Sequence, residues 1–276
     1  MAAVLQAASR ESLAAAMQRL NAYVDTADAP ALNTMGDELF AFARLIATER
    51  PLRRLLADPS TPEQARIGLV GQVLGGRLGT PTLDFVKGLV TSRWSQSSDL
   101  VEAAEALARQ ATLAVAEKDG TLDNVEDELF RFGRILDREP QLNTLLSEES
   151  TPVEGRLRLL EQVLGNRVSP VAAALLRQTV RLLRSRHLDV VAEELAELAA
   201  ARRDRSVARV TAPIALSSQQ EQKLTDSLSR LYGRPISLQI ELDESLLGGL
   251  VVQVGGEVID GSVAGKLAAA RRALPS

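Results

Sequence analysis

The sequence predicts a mainly α-helical protein: two homologous six-helix-type bundles, followed by a small α+β domain of order β-α-β-β-β-α. Three observations lead there. "DELFAFARLIATERPLRRLLADPSTP" at Asp37–Pro62 returns as "DELFRFGRILDREPQLNTLLSEESTP" at Asp127–Pro152, and the register runs on from "GQVLGGR" to "EQVLGNR". Across residues 37–77 and 127–167, 20 of 41 positions are identical without a gap. Ordinary composition would give about three by chance, so the chain carries an internal duplication. Second, apolar residues keep a 3.6-residue period up to Arg205. Third, beyond Arg205 the period falls to 2 and glycine pairs appear, as strands and hairpins require.

Taken in order, Leu13, Met17, Leu20 and Val24 lie at i, i+4, i+7 and i+11, one stripe of a first helix. We read this stripe as core, with a groove for a partner as the alternative. A second helix spans about Leu32–Thr48, with Leu39, Phe42, Leu45 and Ile46 inward; its repeat uses Leu129, Phe132, Ile135 and Leu136. Short segments follow at Leu52–Leu56 and Leu142–Leu146. Ser60-Thr61-Pro62, Ser150-Thr151-Pro152, Thr80-Pro81 and Ser169-Pro170 each place a hydroxyl before proline, a helix start in which the oxygen accepts an orphan N–H. Helices are then expected at Thr82–Trp94 and Val171–Leu183, and long ones at Asp99–Lys118 and Leu188–Arg205. The helix at 99–118 closes the first copy and opens the second. Shared in this way it couples the bundles rigidly; a break near Gly120 would hinge them instead.

In the tail, "VARVTAPIAL" reads as a strand, and "SSQQEQKLTDSLSRLYG" as a helix with Ser217 and Gln220 as capping box and Gly233 as C-cap. Leu224, Leu228 and Leu231 form its apolar stripe. Ile236, Leu238, Ile240 and Leu242 alternate inward on a second strand, Leu250, Val252 and Val254 on a third. Gly255-Gly256 signals a hairpin into "EVID", and Ser262 opens a final helix. The domains expected are 1–100, 101–205 and 206–276.

Composition narrows the function. Cysteine is absent and His187 is the only histidine, so neither disulfide, thiolate nor multi-His metal chemistry can be built within the chain. Net charge is −4 with mixed signs, which implies no basic face for nucleic acid. No apolar stretch approaches the ~20 residues of a membrane span, and "MAAVLQAASRES" lacks the pattern of a signal peptide. A cytosolic protein, or one held at a membrane by partners, is expected. Gly248-Gly249 does not lead into a helix, so a phosphate-binding loop is excluded in favour of tight turns. Asp260-Gly261-Ser262 reads as a turn plus N-cap. His187 is read as a cap or surface residue. Arg202, Arg203, Arg205 and Arg209 finish a helix, with acidic partner segments as the alternative. Trp94 is read as core edge, with an interface anchor as the alternative.

The run Asp243–Leu267, "DESLLGGLVVQVGGEVIDGSVAGKL", resembles the C-terminal signature of the delta subunit of F-type ATP synthases, the family of the oligomycin-sensitivity-conferring protein. Asp243, Gly248, Gly249, Gly255, Asp260, Gly261, Ser262 and Gly265 carry the match. "DNVEDELFRFGRIL" through "RSRHLDVVAEEL" is similar to that family's helical bundle, so Val101–Ser276 covers an ordinary delta subunit. Residues 1–100 depart from it as an extra copy. The resemblance implies a non-catalytic stator subunit without cofactor or metal, present once per complex. It further implies contacts to the alpha and beta subunits of the catalytic head, and to b-type stalk subunits. It would place the protein peripherally on the cytoplasmic face of a bacterial membrane, with no insertion of its own. Leu250, Val252, Val254 and Trp94 are the candidate partner contacts. The competing expectation is a helical-repeat adaptor of another complex.

Overall fold

The computed structural model describes residues 5–262 apart from 206, 233–235, 244–245, 247 and 255–256. The chain forms two compact units, Met1–Ala199 and Ala200–Ser276.

Eleven helices precede the first strand among the described residues: α1 Ala7–Thr26, α2 Ala29–Thr48, α3 Arg50–Ala57, α4 Glu63–Leu74, α5 Thr80–Thr91, α6 Ser97–Lys118, α7 Leu122–Arg138, α8 Pro140–Ser147, α9 Val153–Leu164, α10 Pro170–Arg181 and α11 Leu188–Arg205. Shifted by the repeat of 90, α1–α6 map onto α6–α11, so α6 belongs to both copies. It runs unbroken for 22 residues and packs against α1, α2, α3 and α5 of the first copy and against α7 and α10 of the second. Leu100, Ala103, Leu107, Ala111 and Ala114 are wholly buried along it, as are Ala104, Ala108 and Leu113. Such all-round burial explains why its sequence is so rich in alanine: neighbours on every side leave room only for small side chains.

The contact with α2 is closest. A Cβ built on Gly36 would stand 2.5 Å from Thr112 Oγ1 and 3.4 Å from the Thr112 backbone nitrogen. Glycine here lets two helix backbones approach. At the start of α6, the Asp99 carboxylate accepts from the Gln96 N–H (3.1 Å) and from Ser9 Oγ (2.6 Å), fixing α1 to the shared helix.

Several devices recur in both copies. Glu38 accepts from the Gly79 N–H and Glu128 from the Ser169 N–H, each at 2.8 Å, tying the second helix of a copy to the start of its fifth. Buried Arg66 donates to the Val90 carbonyl and buried Arg156 to that of Val180, closing the C-terminal end of α5 and of α10. A charged cluster joins α6 to the loop before α11. Arg184 binds Glu105 at 2.8 Å and Glu102 at 4.0 Å; Arg109 binds Glu105 and, at 3.9 Å, Glu194; Arg186 also binds Glu194. Burial pushes the Arg109 guanidinium below its ordinary value and the Glu102 carboxyl above its own. Arg184 and Ser185 adopt left-handed backbone angles (φ 49° and 61°), a conformation the ion pairs of Arg184 help to hold. Because Arg109 is buried, Arg109→Ala opens a cavity and leaves Glu105 and Glu194 with one arginine each, Arg184 and Arg186. It should destabilise the helical unit by about 3 kcal/mol in urea unfolding, whereas a loss under about 1 kcal/mol would mean that the cluster is solvated.

Not every expected feature appears. Ile135 is exposed, because the buried arc of α7 is set by Leu129, Phe132, Gly133 and Leu136. Ser60 and Thr61 do not cap α4: Pro62 occupies the N-cap, while the Ser60 N–H and hydroxyl turn back onto Asp58 at 2.8 and 2.7 Å. Ser150 likewise bonds Glu148, and Thr80 is already helical. Only Ser169 caps as expected, accepting from the Ala172 N–H at 3.2 Å. Helix α5 ends at Thr91, so Trp94 lies beyond it. The stripe of α1 is core: Leu20 and Val24 are buried, with Leu13 and Met17 packed against them.

The second unit contains β1 Val207–Ala212, α12 Ser218–Tyr232, β2 Ser237–Leu242, β3 Val251–Val254 and β4 Glu257–Asp260, in sheet order β2-β1-β3-β4. Strands β1 and β2 are parallel with α12 as the crossover; β1/β3 and β3/β4 are antiparallel. Ser217 and Gln220 form the expected capping box, with N–H to side-chain distances of 2.9 and 3.4 Å. Ala208, Val210, Leu228, Ile236, Val252 and Val254 make the core. Leu231 and Leu242, expected inward, are exposed. Tyr232 takes the packing place of Leu231, and Leu242 ends an edge strand. Gly233, and the final helix expected from Ser262 onward, fall at or beyond the limit of the described residues.

Candidate functional site

The resembling signature folds into a clasp around the start of β3. After β2, the Asp243 N–H donates to the Ala212 carbonyl at 2.9 Å, and the Leu246 N–H returns to the Asp243 carbonyl at 3.1 Å. Gly248 and Gly249 then take positive φ, 143° and 81°. A Cβ on Gly249 would lie 2.4 Å from the Gly261 carbonyl oxygen and 2.8 Å from Ser262 Cα. The Gly261 N–H donates to the Leu250 carbonyl at 2.9 Å. Residues on either side of a hairpin are thus closed against one another through glycine backbone, where no side chain fits.

Asp260 accepts from the Ser262 N–H at 2.9 Å. Hydrogen bonds from the Ser262 hydroxyl and backbone hold its carboxyl below the usual carboxylate range. Ser262 is itself buried. Strands β3 and β4 pair with Val254 opposite Glu257. Gly255 and Gly265 lie outside the described residues.

The candidate partner contacts are placed inward. Val252 and Val254 are buried under α12, and Leu250 packs against the same cluster. Trp94 is buried, its indole N–H donating to the Leu89 carbonyl at 2.8 Å. Among the described residues of this unit, the large apolar side chains that are exposed are instead Ile214, Leu231, Leu242, Val258 and Ile259. Val258 and Ile259 are consecutive on β4 and so point to opposite faces, and the exposure of one of them was legible in the sequence. Among the described residues no group of His, Cys, Asp or Glu could hold a metal ion, and no helix is long and apolar enough to cross a membrane.

Fold and clasp together define a class: a helical unit of two repeats and a compact α+β unit closed by glycine backbone. Residues 109–274 match the family model described as ATP synthase delta (OSCP) subunit, and the chain belongs to that family. The proteins called ATP synthase subunit b-delta from Mycobacterium sp. strains KMS and JLS are each 45% identical over 271 residues, 98% of this chain. The chain spans 61% of the length of these curated relatives. The first bundle, which precedes the family match, is therefore shared with them. A chain of the mitochondrial ATP synthase hexamer of Toxoplasma gondii is 24% identical, with 61% of this chain and 96% of that one covered. Its TM-score to this chain is 0.32.

Proposed function

We propose that the chain is a non-catalytic stator subunit of a proton-translocating F-type ATP synthase, linking the catalytic head to the peripheral stalk. Its work is mechanical: it resists the torque that the rotor exerts on the head. The observation that carries the reading is the shared α6, one buried helix that builds both bundles of this chain, whose residues 109–274 match the ATP synthase delta (OSCP) family. A load entering one bundle passes to the other through covalent, hydrogen-bonded backbone rather than through a linker.

The helical unit would engage the alpha and beta subunits, and the α+β unit a b-type stalk, in one copy per complex at the cytoplasmic face of a bacterial membrane. The b-delta relatives bear both subunit names on one polypeptide, in keeping with that pairing. For the stalk contact, the exposed Leu242, Val258 and Ile259 are better placed than the inward Leu250, Val252 and Val254, and helix-in-groove binding is the expected mode. Affinity purification of the tagged chain from membranes tests the assignment. Alpha, beta and b-type subunits should be recovered together in fixed ratio; their absence would refute the stator reading. Val258→Asp should deplete the b-type subunit while alpha and beta remain.

A further inference from the structure

Of the four arginines that the sequence places at the finish of a helix, one does something else. Arg202 is buried near the end of α11, and Arg203 pairs with Asp204 at 3.3 Å. Arg209 lies beyond that helix, on β1. Alternation along the strand turns Ala208 and Val210 into the core and Arg209 onto the opposite face of the sheet. The ladder sets it between two amides: Gln239 of β2 stands opposite on one side and Gln253 of β3 on the other. All three are exposed. With Arg203 and Asp204 from the last turn of α11, they line a cavity of about 640 Å³ within the second unit, to which Val207 and Ala201 add an apolar wall.

The row does not neutralise its own charge. An arginine on a solvated sheet face is stabilised by a carboxylate on the neighbouring strand. Both cross-strand neighbours of Arg209 are uncharged instead. The acid that β2 carries on this face, Glu241, stands opposite Thr211, and Asp204 is engaged by Arg203. Among the described residues Arg209 makes no ion pair and the Gln239 side chain no hydrogen bond. Guanidinium and amide donors therefore stand side by side in the cavity without a carboxylate between them.

From this arrangement we propose that the cavity binds a small oxyanion, the phosphate or carboxylate group of a metabolite-sized molecule. A guanidinium offers two parallel N–H donors to two oxygens in one plane, and the flanking amides reach the same anion from either side. Because Asp204 balances Arg203, Arg209 supplies the attracting charge. Small-molecule sites run from about 300 to 1,000 Å³, so the cavity has room for the uncharged body of such a molecule against Val207 and Ala201.

The test uses the full chain, with its arginine and glutamine side chains followed by NMR as sodium phosphate or sodium acetate replaces sodium chloride at constant ionic strength. The Arg209 Nε and Gln239 amide signals should shift along a saturating curve with phosphate, with acetate or with both, and the anion that saturates names the group. Arg209→Gln should weaken this binding by about tenfold or more. Gln239→Glu, which supplies the missing carboxylate, should do the same, while Arg158→Gln, at an exposed position on α9, leaves it unchanged. Far-UV circular dichroism and the β1–β2 pairing should match wild type in all three variants. Shifts that stay linear with both anions overturn the proposal, as does binding that keeps its full strength in Arg209→Gln. The outcome does not depend on the stator reading, since it is measured on the chain alone.

Discussion

Ala108→Pro should unfold both bundles together. Ala108 sits in mid-α6, wholly buried, and proline there removes a helical hydrogen bond and clashes with the preceding turn, a cost of about 3 kcal/mol or more. For a unit of about 200 residues this corresponds to a fall in Tm of about 6–12 °C. The diagnostic is where protection from hydrogen exchange is lost. Because α6 is the sixth helix of one copy and the first of the other, protection should drop in α1–α5 and in α7–α10 alike. Ala192→Pro, in α11, strikes an equally buried alanine that belongs only to the second copy, and should spare α1–α5. Loss confined to one bundle after Ala108→Pro would mean that the copies fold separately and that α6 transmits little.

Gly249→Val should be the most damaging single change in the second unit. The residue holds φ 81°, which a β-branched side chain strongly disfavours, and its Cβ would overlap Gly261 and Ser262 backbone that cannot step aside. The combined penalty is about 3 kcal/mol or more. Loss of the β3–β4 pairing by NMR is expected, together with loss of stalk binding, while far-UV helicity stays nearly unchanged. Gly249→Ala should do almost as much harm, because the offending atom is Cβ itself. Gly68→Ala is the contrast: nothing lies within 4 Å of its Cβ on α4, and alanine there should raise stability by up to about 1 kcal/mol. Wild-type pairing in Gly249→Val would remove the clasp from the account.

The duplication made the architecture legible, since a repeat of 90 fitted to helices leaves one helix in both copies. Periodicity located the core of α1 and α2 and the alternation in β3 because those faces are buried by the chain's own neighbours. It misjudged Ile135, Leu231 and Leu242, each at the margin of a stripe or the end of an element, where the covering layer stops. Hydroxyl-proline pairs predicted caps that form only at Ser169; at Ser60 a nearby aspartate accepts from the serine's own N–H and hydroxyl, and this local turn takes the place of a cap. Phe40, which is buried, and its repeat equivalent Phe130, which is exposed, could not be told apart from sequence at all. Their burial is decided by whether another copy follows, not by residue type or phase. The partner-contact expectation fell on the buried Val252 and Val254 and on the core-packed Leu250 for a related reason: alternation identifies the residues facing in.

ATP-driven proton pumping by the assembled synthase, measured with the chain removed and then restored, tests the central claim most directly. Without it, ATP hydrolysis should continue uncoupled from pumping. Wild-type chain should restore pumping, and Ala108→Pro chain should restore it only weakly even where it still binds. Full pumping in the chain's absence would contradict the account.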